Sequence, residues 1–443
     1  MTGEPPAPPE ADLRFAAVAD TVAAVTAAPG RSAKVAALAE CLRATPDDLV
    51  PAVLAWLSGT TRQRRTGLGW AAVRDLLPAA EARPDADRPV LAREVDAALS
   101  AAEATQGGAA ARATHLREVL ARASGAERDL LVSVLTGGAR SGAGAGVVLD
   151  AVVVATEAPA GPVRRAAMLL GDPAAALLRA RHGGVEALAA VGLQVGVPVS
   201  PMLAASAPSV EAALEVTGAA GVEWKLDGIR VQVHRAGEEV RFFTRTLDDI
   251  SPRLPDLAQA VRALDADPVV LDGEVLALSD DGSPLPFQVS SARAARHARD
   301  PQAEPLTLVV FDLLHLAGRD LFDADGPTRR RELERVVPGG GGPVQLVPRL
   351  DVDPSGPDWR DAARAFTAGA STAGHEGVVV KSHAAAYAMG RRGVGWVKVK
   401  PRLTLDLLVV AAEWGHGRRT GLLSNLHLAA RGPPGGSALP AAP

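Results

Sequence analysis

Lysine is scarce in this chain. Of 47 Lys and Arg residues only Lys34, Lys225, Lys381, Lys398 and Lys400 are lysines. Arginine serves wherever a plain positive charge suffices, so a lysine marks a place that needs a compact ammonium or an amine able to lose its proton. Four of the five fall in short strings with glycines or carboxylates. In Lys225-Leu226-Asp227-Gly228-Ile229-Arg230 the lysine closes a strand and the glycine lets the backbone turn close to a phosphate. Arg230 adds a fixed charge. A neutral amine in that setting can attack an α-phosphorus and form a phosphoramidate, and burial with neighbouring cations favours the neutral state. Taken alone, the string also fits a hairpin turn with a surface lysine.

Three further strings follow. Leu271-Asp272-Gly273-Glu274-Val275 puts a carboxylate in a second glycine-opened strand. Glu376-Gly377-Val378-Val379-Val380-Lys381 puts another at the head of a strand, with a lysine near its end. Trp396-Val397-Lys398-Val399-Lys400 places two lysines two residues apart, on one face of a strand. Two carboxylates among several cations suit a nucleoside triphosphate and a divalent metal. Each string alone also fits a half-buried strand with solvated charges; their joint occurrence in this order does not.

The elements that must hold these residues divide the chain. Residues 11–195 read as helices throughout, with apolar residues at three- and four-residue spacing. Leu57-Ser58-Gly59-Thr60-Thr61-Arg62 is weakly repeated as Leu135-Thr136-Gly137-Gly138-Ala139-Arg140. A glycine turn beside an arginine can sit on a phosphate; equally, both can be ordinary helix ends. From residue 196 the pattern changes to strands, at 222–226, 229–235, 240–245, 269–278, 306–314, 377–381 and 395–400. Helices are expected near 255–264, 328–336 and 358–370. Two more strand-like runs, 405–412 and 422–429, precede a Gly/Pro-rich tail.

The series of strings resembles the nucleotidyltransferase motifs shared by ATP-dependent DNA ligases, RNA ligases and capping guanylyltransferases. The resemblance is strong over 200–403. It extends into the helical region, where Arg62-Gln63-Arg64-Arg65-Thr66-Gly67-Leu68-Gly69-Trp70 is similar to the bacterial and archaeal DNA ligases. It implies a multidomain fold of α and α+β parts: an unstructured 1–10, an all-helical DNA-binding domain at 11–195, and an ATP-grasp-like adenylation domain at 196–403. A partial OB-fold β-barrel at 404–430 and an unstructured tail at 431–443 complete it. By the same resemblance Lys225 is the adenylated nucleophile and Glu223 faces the adenine amino group. Arg230 and Arg245 hold ribose and phosphates, and Phe311 stacks on adenine. Glu274 binds ribose or metal, Glu376 binds metal, and Arg392, Lys398 and Lys400 bind phosphates. Arg62, Arg64, Arg65 and Arg140 contact DNA. The cofactors implied are ATP and Mg2+, and the partner is nicked duplex DNA.

Two departures from the family pattern stand out. Arg140-Ser141-Gly142-Ala143-Gly144-Ala145-Gly146 is glycine-rich where the family usually carries a Gln and a Glu. Past Pro401 there is room for two strands of a five-stranded barrel, so a truncated barrel without the family's final basic motif is expected. The expected activity is sealing of nicks through a lysyl-AMP intermediate in DNA replication, repair or recombination. The alternatives are a nick-binding protein with impaired sealing and a capping-type guanylyltransferase; the helical region argues against the latter. A net charge of -4 argues against indiscriminate nucleic-acid binding but leaves room for local basic patches. The single cysteine, Cys41, excludes an internal disulfide and a Cys-based metal site. No apolar run approaches the roughly 20 residues of a membrane span. A monomeric, cytoplasmic protein with no membrane partner is expected.

Overall fold

The computed structural model describes residues 12–63, 66–74, 76–77, 88–137, 143–279, 281–295, 305–337, 339, 341–400 and 406–430. The expected unstructured ends, and Arg64, Arg65 and Arg140, lie outside the described residues.

Up to residue 189 the described secondary structure is helical, apart from the isolated bridge between Arg14 and Leu91. The longer helices are Phe15–Ala27, Arg31–Arg43, Ala92–Ala104, Gly125–Thr136, Ala145–Thr156 and Pro173–Ala189. Aromatics are few, so their apolar stripes close on Ala, Val and Leu. An edge-on contact between Phe15 and Trp56, with centroids 5.3 Å apart, anchors the first helix. Both members of the weak repeat end helices: Gly59 and Gly137 have φ of 80° and 69°, the left-handed conformation in which glycine carries no Cβ penalty. The Arg62 guanidinium beside the first turn forks onto Asp96 at 2.6 Å through Nε and 2.6 Å through Nη2.

The connection to the sheets is tied down. Gly196 N–H donates to His234 Nδ1 at 2.9 Å, and Val199 N–H donates to Gln232 Oε1 at 2.9 Å. Burial pushes His234 down to about 3, so its ring is a neutral acceptor for Gly196. Arg165 reaches Asp323 at 2.9 Å, and Leu193 N–H donates to Asp320 Oδ2 at 2.9 Å.

The strands, in chain order, are β1 (Leu203–Ser206), β2 (Ala220–Trp224), β3 (Ile229–Ala236), β4 (Glu239–Thr244), β5 (Val269–Ala277), β6 (Leu306–Leu316) and β7 (Arg319–Asp320). They continue as β8 (Val344–Leu346), β9 (Arg349–Val352), β10 (Val378–Ser382), β11 (Arg392–Val399), β12 (Leu408–Trp414) and β13 (Leu423–Ala429). One sheet runs β1-β11-β10-β2-β9; the other runs β4-β3-β5-β6-β7, with β8 added beside β6. The strands expected from the sequence are present with ends shifted by a few residues. Beyond them lie β1, β7, β8 and β9, and the helices Val210–Thr217 and Phe287–Ala295, which the sequence reading did not anticipate.

Period-two alternation decides which side of each sheet is dry. In the first sheet Ala220, Val222, Val378, Val380, Val397 and Val399 pack on the helices Val210–Thr217 and Trp359–Thr372. In the second, Val231, Val233, Leu271, Val275, Leu308 and Val310 pack with residues of the helices Pro255–Arg262 and Gly326–Val336. The polar residues interleaved with these sets take the opposite faces, towards the space between the sheets. The two strands expected past Pro401, β12 and β13, pair as an antiparallel ribbon whose Leu408 and Trp414 are exposed.

Candidate functional site

A cleft of about 480 Å³ opens between the two sheets. Its lining includes nine of the residues singled out from the sequence: Glu223, Lys225, Arg230, Arg245, Glu274, Phe311, Arg392, Lys398 and Lys400. They come from separate strands or strand ends. Glu223 and Lys225 lie on and just beyond β2, Arg230 on β3 and Arg245 just past β4. Glu274 lies on β5, Phe311 on β6, and Arg392, Lys398 and Lys400 on or just past β11.

Lys225 sits where β2 leaves β10. Its N–H donates to Gly377 O at 2.8 Å, and Glu376 N–H donates back to Lys225 O at 3.1 Å. This pair of backbone bonds sets Lys225 against Glu376, and Lys225 Nζ is in direct contact with the Glu376 carboxylate. Lys400 Nζ reaches the same carboxylate, at 2.8 Å from Oε1 and 2.7 Å from Oε2. Burial opposes ionisation of Glu376, but the hydrogen bonds from Lys225 and Lys400 outweigh it and hold the carboxyl below the usual range. In this state Glu376 is engaged by two ammonium groups and would have to release one to take a metal ion.

Glu274 is different. It accepts one hydrogen bond from Gly228 N–H at 3.0 Å, and burial pushes its carboxyl up to about 7. Gly228 is needed for this approach, because a Cβ there would lie 2.5 Å from Val275 O and 3.0 Å from Glu274 Cγ. The glycine is therefore required against β5, a reason that the string alone did not reveal. Desolvation keeps the proton on this half-buried carboxyl against the pull of Lys225 and Arg230, and a divalent ion would favour its ionised form. Among the described residues no group of three or more His, Cys, Asp or Glu is placed to hold a metal. Phosphate oxygens would have to complete the shell, as is usual for magnesium.

The raised carboxyl has a measurable consequence. Its folded value of about 7 exceeds the ordinary 4.5, so the native state binds the extra proton between those limits. His234, held neutral, adds stability as pH rises over this range, but the Glu274 contribution to the ligand-free protein should fall by roughly 2 kcal/mol from about pH 5 to 7. Glu274→Gln should remove that slope. Urea midpoints of both proteins across this range measure it, and parallel curves would show that Glu274 is already well solvated.

Arg230 is more constrained than a phosphate clamp. Its guanidinium forks onto Asp272 at 3.1 and 2.7 Å and donates to Met202 O at 2.8 Å. Tyr387, the one tyrosine of the chain, donates to Asp272 Oδ2 at 2.5 Å. The same guanidinium lies 5.5 Å from the Phe311 ring and 5.6 Å from Trp396. Arg230 thus braces the aromatic wall with Asp272, which was quoted in a string but given no role, and with Tyr387, which lay outside the strings. Trp396 and Lys381, quoted in the strings but given no role, also line the cleft, as do Trp224 and Thr246. Arg245 lines its exposed rim. Arg62 belongs to the helical part and is paired with Asp96, away from these residues.

The sequence pattern described as the ATP dependent DNA ligase domain matches residues 201–400, the span that contains both sheets. A probable DNA ligase of Rhodococcus opacus (strain B4) is 48% identical over 429 residues, covering 96% of this chain and 82% of that protein. One from Beutenbergia cavernae is 49% identical over 436 residues, again covering 96% and 82%. The solved structure named Pmar-Lig_Pre shares the fold with a TM-score of 0.53 at 18% identity, covering 93% of this chain and 84% of that one. The chain belongs to the ATP-dependent DNA ligase family. That family, and not the capping guanylyltransferases, is the one its relatives define.

Proposed function

We propose that the chain seals nicks in duplex DNA through an AMP group carried on Lys225 Nζ. The observation that carries this reading is the contact of Lys225 Nζ with Glu376 at a cleft otherwise lined by Arg230, Arg245, Arg392, Lys398 and Lys400. An ammonium has no lone pair, so a proton must leave Nζ before attack. The Glu376 carboxylate, already in contact, is placed to receive it. The Nζ–Pα bond then forms as the bond from Pα to the bridging oxygen breaks, and pyrophosphate leaves. The cations at the mouth of the cleft hold the phosphates in line and offset their charge. Phe311 and Trp396 supply the apolar wall for the adenine base. Mg2+, held by Glu274 together with ATP oxygens, would neutralise charge on the departing pyrophosphate. In the next steps AMP passes to the 5′-phosphate of the nick, and the 3′-hydroxyl displaces it.

In this reading residues 11–195 are a DNA-binding domain, 196–403 the adenylation domain, and 404–430 part of an OB-fold barrel. Arg62, Arg64, Arg65 and Arg140 would meet phosphates. For Arg62 that requires exchange of Asp96 for DNA, a competition that rising salt would tip against DNA. No helix among the described residues is long and apolar enough to cross a membrane. We place the protein in the cytoplasm as a monomer acting on DNA in repair, replication or recombination.

The decisive experiment is a nick-sealing assay on a duplex with a labelled 5′-phosphate at the nick. With ATP and magnesium a ligated strand is expected, and with NAD or GTP none above background. Tight nick binding without ligation would overturn the catalytic part of the reading and leave a nick-binding protein.

A further inference from the structure

The floor of the cleft carries a buried charge cluster beside β2. Glu223 is 2% exposed. Lys381 Nζ reaches its Oε2 at 2.6 Å, and Arg349 Nη1 donates to its Oε1 at 3.0 Å. Strand register brings them together. Glu223 lies opposite Arg349 in the β2–β9 pair and opposite Val379 in the β2–β10 pair. Lys381, two residues beyond Val379, therefore shares the face. Gly221 precedes Glu223 by two residues on that face and leaves the necessary space. A Cβ at Gly221 would lie 2.1 Å from Arg349 Cζ and 2.3 Å from Nη2. The guanidinium thus lies across the glycine with one end on Glu223, and it also donates to Asp351 Oδ1 at 3.0 and 2.7 Å. Lys381 in turn donates to Phe311 O at 2.8 Å, beneath the rings of Phe311 and Trp396.

We propose that Arg349, acting through Glu223, sets the preference of this cleft for adenine over guanine, an inference that rests on reading the cleft as the ATP site. An ionised carboxylate only accepts hydrogen bonds. The 6-amino group of adenine donates, whereas the 6-oxo group of guanine is an acceptor and would face the carboxylate lone pair to lone pair. Sites that leave a buried polar group unpaired with the wrong ligand discriminate strongly. Such discrimination needs a carboxylate fixed in orientation. With Lys381 on one oxygen and Arg349 on the other, Glu223 cannot turn. Without Arg349 it can swing wholly onto Lys381, and no acceptor remains fixed at the 6-position. Arg349 is not among the residues lining the cleft, so it is a positioning residue.

The test measures kcat and KM for formation of the nucleotidyl-protein with ATP and with GTP, using the full chain. Arg349→Met removes the guanidinium. Gly221→Ala keeps every charge but pushes the guanidinium aside, and only the end of a flexible side chain has to move, so it decides alone if Arg349→Met does not fold. Both variants should lower the ATP-to-GTP ratio of kcat/KM by about tenfold or more. Most of the change should come from KM for ATP, with kcat at saturating ATP close to that of the parent. A parent that prefers ATP and variants that prefer it equally would overturn the role of Arg349 alone. A parent labelled by neither nucleotide would overturn the reading of the cleft and this inference with it.

Discussion

Lys225→Arg should abolish formation of the AMP-protein adduct. The arginine side chain is long enough to keep an ion pair with Glu376, so the pocket should stay intact. Its guanidinium remains protonated at any working pH and offers no amine nucleophile. The loss should be at least about a thousandfold, roughly 4 kcal/mol of barrier. Incubation with α-labelled ATP and magnesium, followed by peptide mapping, checks this directly. The parent should carry acid-labile AMP on Lys225 and the variant none. AMP on Lys34, Lys398 or Lys400, or undiminished labelling of the variant, would falsify the assignment.

The second large effect is expected at Glu376. Its carboxylate receives both Lys225 and Lys400. Glu376→Gln preserves shape but leaves two neighbouring ammonium groups without their shared anion. Nζ loses both its orientation and the base in contact with it. Misplacement of a reacting group by about 1 Å can cost about a hundredfold, and the expected loss in the single-turnover adenylation rate is of that order or greater. The melting temperature should move by only a few degrees, since the pair is partly solvated and such pairs contribute about 1 kcal/mol or less. If the rate at saturating ATP and magnesium were unchanged, Glu376 would be no more than a surface partner for two lysines.

Much of this site was legible from residue types. Lysine scarcity singled out four of the residues that meet at the cleft or its edge. Alternation along 395–400 put Lys398 and Lys400 on one face correctly, because side-chain direction in a strand depends only on position parity. The expected helices near 255–264, 328–336 and 358–370 appeared because amphipathic spacing is local information. Strands β1, β8 and β9 escaped notice because each is only three or four residues long, too short for a periodic signal.

The sequence by itself determined the chemistry: a lysine beside a glycine turn, two carboxylates, a wall aromatic and a set of cations, each on a segment with a clear conformational preference. Only the tertiary structure decided who pairs with whom. Arg230 braces Asp272 and the aromatic wall, Glu376 is divided between two lysines, Glu274 takes the Gly228 N–H, and Arg349 crosses Gly221 to hold Glu223. The physical reason is that pairing across strands depends on register and on the sheet order β1-β11-β10-β2-β9. That order joins residues more than a hundred positions apart, and nothing in the local pattern of either segment records which neighbour it will meet.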